Sequence, residues 1–173
     1  PLRFPSPRGS QTTTGLTSFS LEVDPGEPET FLLWAVGREL FRTDLDGGNV
    51  FRTGEVSLAE LAAFLRQETG DSEIQAGELG GITYHPTRDT FWGVDIVNDV
   101  YFEFGILGRL VRTDDRPNHF FSPKRSPVTG GAYGNSITYV STAAGEFFDV
   151  PVGSVTDGRP SDVWRVHATD GVE

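Results

Sequence analysis

The chain has no cysteine and no methionine. Without thiols it has no disulfides to staple a small fold and no thiolate ligands for a metal. A segment without methionine does not begin at its own initiator, and removal of a secretory leader is the simplest expectation for a chain that starts at Pro1. Long apolar runs are missing too. None approaches the roughly 18 residues that mark a bilayer-spanning helix, so no membrane insertion is expected. Positive charge is scarce: 14 Lys and Arg stand against 25 Asp and Glu, for a net charge of -11. Nucleic-acid binding neutralises phosphates with cationic side chains, and this balance argues against it. Histidine is limited to His85, His119 and His167, with no H-x-x-x-H or H-E-x-x-H pair for zinc and no G-x-S-x-G elbow. No catalytic residue, no cofactor and no enzymatic activity are therefore expected.

What is present reads as an all-β domain. Its 173 residues suit one core. Residues 1–15 hold three prolines among small polar residues, the composition of an extended arm. Beyond it, Phe19, Leu21 and Val23 alternate with Ser20 and Glu22, the period of a half-buried strand. Phe31 to Val36 form an apolar run, and Leu40–Thr43 and Val50–Thr53 flank a Gly-containing hairpin loop. One short helix is expected near 57–69. Ser57 and Glu60 have capping-box spacing, Leu58, Leu61, Ala62 and Leu65 form one apolar face, and Gly70 suits the stop.

An internal repeat is the most informative pattern. Leu40–Thr53 matches Val100–Thr113 without a gap, and the same register pairs Glu29–Phe31 with Asp89–Phe91. A third copy begins at Gly130–Tyr133, and Ser136–Val140 echoes Thr90–Val94. After an insertion, Asp162–Val166 echoes Asp99–Glu103. The expected architecture is antiparallel four-stranded meanders over about 17–56, 78–115 and 128–173 of a single 16–173 domain.

The stretch Gly81-Ile82-Thr83-Tyr84-His85-Pro86 followed by Phe91-Trp92-Gly93-Val94-Asp95 resembles a blade opening in extracellular β-propellers of the NHL and YVTN type. The resemblance implies a propeller-blade fold and a secreted or cell-surface location. Propellers close with four to eight blades. Three copies leave open sheet edges, which attract pairing.

Candidate sites are few. Residues 113–129 form a long loop with adjacent Phe120 and Phe121 and the basic Arg116, Lys124 and Arg125, a candidate partner-binding group. Packing of one Phe into the core is the competing reading. Asp44, Asp46 and Asn49 are weak calcium candidates with oxygen ligands, in a loop whose residues are also ordinary turn formers. Asp95, Asn98 and Asp99 form a second such group. Residues 151–161 read as a polar insertion. Trp34, Trp92, Tyr139 and Trp164 recur across the copies, as a sugar platform or as core. The leading expectation is a non-enzymatic extracellular interaction module that assembles with copies of itself or other proteins through its arm and open edges. The alternatives are a glycan- or peptide-binding propeller module and a fragment of a calcium-dependent propeller hydrolase.

Overall fold

In the computed structural model, residues 14–112, 118–122, 136–152 and 162–168 are described, with backbone only at 22–24, 152 and 162. The strands are β1 (Gly15–Asp24), β2 (Glu27–Val36), β3 (Glu39–Asp44), β4 (Phe51–Glu55), β5 (Leu79–His85), β6 (Thr90–Asp95), β7 (Val100–Phe104), β8 (His119–Phe121), β9 (Thr138–Thr142), β10 (Gly145–Val152) and β11 (Asp162–His167). They build three antiparallel sheets, ordered β1-β2-β3-β4, β5-β6-β7-β8 and β11-β10-β9. The all-β expectation is thus met. Most of residues 1–15, Gly130–Tyr133 and nearly all of the 151–161 insertion lie outside the described residues.

The sheets stack in series because alternate strand residues point to opposite faces. Phe31, Leu33, Ala35 and Leu40 of the first sheet share a core with Phe91, Val100, Phe102 and Phe104 of the second. On the second sheet's other face, Trp92, Val94 and Tyr101 pack against Phe148, Val150 and Val166 of the third. Trp34, Val36 and Phe41 form a separate buried group on the far face of the first sheet. Of the four recurring aromatics, Trp34 and Trp92 are each 1% exposed, which favours packing over a sugar platform.

This stacking corrects the gapless register. Phe31 faces the second sheet, whereas its matched partner Phe91 faces back towards the first. The cause is loop length: Gly37 and Arg38 alone separate the Val36–Glu39 pair, whereas residues 96–99 separate Asp95 from Val100. A one-residue slip flips a strand's faces. The fourth strand of the second sheet is also displaced, since β8 pairs with β7 while Leu110 makes only an isolated bridge to Phe104. In the third copy, β9 is not a second strand. It lies beside β5 as β5 lies beside β1.

Helix α1 (Leu58–Thr69) buries Leu58, Leu61, Ala62 and Leu65 in the first core, as its spacing requires. The capping box does not form: Ser57 makes no side-chain cap bond, and the Glu60 carboxylate meets Arg112 instead. Packing, not the cap, starts this helix. Gly70 ends it at φ 73°, donating its N–H to Arg66 O.

Candidate functional site

Phe120 and Phe121 lie in β8, within the segment expected to be a loop. Phe120 stacks on Tyr101 with ring centroids 4.8 Å apart and also meets Trp92 and Phe148. Phe121 packs against the first core. Each such ring contact contributes about 0.5–1.5 kcal/mol, so both rings serve the junctions of the second sheet with its neighbours. Arg116, Lys124 and Arg125 lie outside the described residues.

The Asp-rich turn uses its oxygens internally. Asp46 Oδ1 accepts from Gly48 N at 2.8 Å, and Asp44 Oδ2 accepts from Asn49 Nδ2 at 2.6 Å. Gly47 at φ 84° and Asn49 at φ 46° supply the left-handed positions of the turn. The second group behaves alike. Asp95 is fully buried and accepts from Val97 N, Asn98 N and Asn98 Nδ2. Burial pushes its pKa up against the opposing effect of those hydrogen bonds. Among the described residues no three His, Asp or Glu side chains group as a metal site.

A polar junction that the residue pattern did not suggest joins the second and third sheets. Glu146 accepts from the Thr87 hydroxyl and, through Oε1, from Tyr139 Oη at 2.6 Å. Its other oxygen lies 3.9 Å from Nε2 of the fully buried His85. Arg88 donates to Ala168 O at 2.6 Å and approaches buried Glu103 at 3.4 Å, while Thr90 donates to Glu103 at 2.5 Å. The bonds from Thr87 and Tyr139 hold the Glu146 pKa below its usual value. Burial, followed by donation to Glu146, raises that of Tyr139. The junction clamps the second sheet to the third through the Thr87–Glu146 and Arg88–Ala168 contacts.

The other two histidines also have partners. His119 Nε2 sits 2.9 Å from Glu68 of α1, and His167 packs on Phe147.

A second missed set is a pair of equivalent contacts between sheets. Tyr84 N donates to Thr17 Oγ1, and Tyr139 N donates to Thr83 Oγ1, each at 3.1 Å. The signal was legible as Ile82-Thr83-Tyr84 recurring at Ile137-Thr138-Tyr139. The gapless register of the neighbouring strands does not bring these two segments into line.

No protein-family model matches the chain, and no curated protein sequence matches it. No helix among the described residues is long and apolar enough to cross a membrane.

Proposed function

We propose that this chain is a non-enzymatic extracellular module of propeller-blade type that assembles with copies of itself or with other protein chains. The observation that carries this reading is the serial stack of three meander sheets with exposed strand residues at both ends. At one end, Leu16 of β1 is 48% exposed; at the other, Val163 of β11 is 66% exposed. Sheet surfaces of this kind invite further strands or sheets. The polar groups near the junction are engaged in hydrogen bonds within and between the second and third sheets, which supports a structural role. The extracellular location rests on the likeness of residues 81–95 to NHL and YVTN blades.

Sedimentation equilibrium over a wide concentration range tests the proposal. Apparent mass is expected to rise with concentration. A constant monomer mass, with no partner recovered by crosslinking in its native setting, overturns it.

A further inference from the structure

We infer that two copies of this chain join head to tail, β9 of one seating on β1 of the next, with the Thr138 hydroxyl accepting the Ser18 backbone N–H. This rests on the assembly reading above and specifies its surface. The contact is one the chain already makes twice. In both cases a threonine hydroxyl of one sheet's first strand accepts the backbone N–H of a residue in the next sheet's first strand, at 3.1 Å.

Thr138 stands in β9 where Thr83 stands in β5, since each precedes a tyrosine whose ring side meets the preceding sheet. Thr138 is exposed, and its hydroxyl has no hydrogen-bond partner among the described residues. It shares a cross-strand row with Asp149 and Arg165. That row is the outward face of the third sheet, because the neighbouring row of Tyr139, Phe148 and Val166 packs against the second sheet.

At the opposite end, Ser18 follows Thr17 as Tyr84 follows Thr83 and Tyr139 follows Thr138. Leu16, Ser18 and Ser20 form the exposed side of β1, while Phe19 on its other side is 4% exposed. The acceptor position thus remains at one end of the series and the donor position at the other. A contact whose two sides differ and lie at opposite ends is heterologous, and it propagates into a ring or a filament.

Trp34, Val36 and Phe41 on the far face of the first sheet are already buried. The new contact is therefore confined to β1 and β9, and the small interface makes association reversible and concentration-dependent.

Two exposed-site variants test this. Thr138→Arg spoils the acceptor end and Leu16→Arg the donor-side end. Each alone is expected to remain monomeric at concentrations where the wild type assembles, with an unchanged circular dichroism spectrum and melting temperature. An equimolar mixture is expected to form a dimer and nothing larger, because each variant keeps the end the other lacks. If either variant assembles like the wild type, or the mixture stays monomeric, the surface is wrong while self-assembly stands. A wild type that is monomeric throughout overturns both. The absence of native cysteine permits a covalent check: oxidised Ser18→Cys/Thr138→Cys protein is expected to give a ladder of disulfide-linked oligomers. Each single variant remains monomeric, and efficient dimers from a single variant would indicate a symmetric contact and overturn the proposal.

Discussion

At Gly77 an added methyl group would lie 1.8 Å from Asp95 Oδ1, in space occupied by the buried carboxylate that organises the β6–β7 turn. Overpacking of this kind costs about 1–3 kcal/mol. Urea denaturation of Gly77→Ala is expected to show a loss in that range, and a loss under about 0.5 kcal/mol would mean that the turn simply moves aside. Glu146 governs a different variable. Its folded pKa lies below the ordinary 4.5 because Thr87 and Tyr139 donate to its carboxylate. A depressed acid pKa adds stability above the unfolded value, and that stability is lost as pH falls through the folded value. Glu146→Gln is therefore expected to be less stable than the wild type at neutral pH. The two melting-temperature curves converge in acid below about pH 4.5. Parallel curves would mean that the charge contributes nothing. Glu146 did not stand out in the chain, because its partner Thr87 comes from a turn 59 residues away.

Between elements, the decisive contacts are single hydrogen bonds at sheet junctions. Thr83→Val keeps the shape but removes the acceptor for Tyr139 N, leaving a strand N–H without its partner. That omission costs about 1–3 kcal/mol. Thr138→Val is expected to change the stability of the dissociated chain by less than about 0.5 kcal/mol, because no contact is lost. Equal losses in chemical denaturation would deny the Thr83 contact any special role. The helix offers a similar contrast. Ser57→Ala is expected to cost under about 0.5 kcal/mol, since no cap bond exists to remove. Gly70→Ala forces a Cβ into the left-handed region at φ 73° and is expected to cost about 1 kcal/mol. Thermal melts of the two variants check both. The helix's apolar face was legible because it has one period and one buried side. Its cap was misread because a motif states only that a bond is possible.

For the whole molecule, charge opposes the proposed assembly. Each copy carries -11, so neighbouring copies repel at low ionic strength. Salt shortens the reach of that repulsion to about 10 Å at 0.1 M. Raising salt is therefore expected to strengthen self-association in sedimentation experiments; weakening would mean that ion pairs, not strand contacts, hold the copies together. The serial stack also explains why the apolar content is sufficient without disulfides. The second sheet buries both of its faces, Phe91 and Phe102 on one side and Trp92 and Tyr101 on the other.

Local pattern determined the β character, the helix, the Gly-bearing turns and the presence of repeated strand units, because alternation and turn chemistry act over a few residues. Tertiary structure decided the rest. Facing depends on how strands line up across loops, and the loop between β2 and β3 is two residues shorter than that between β6 and β7, which puts a gapless match one residue out on each flanking strand. No local signal reports which sheet a strand will face. Thr17 and Tyr84 stand 67 residues apart and Thr83 and Tyr139 stand 56 apart, so the paired contacts that define the stack emerge only when the sheets are packed together. The scarcities with which the chain is marked, in thiols and in cationic charge, narrowed its chemistry. The packed sheets decided which strand faces are buried between neighbours and which stay exposed, because burial depends on contacts between residues far apart in the chain.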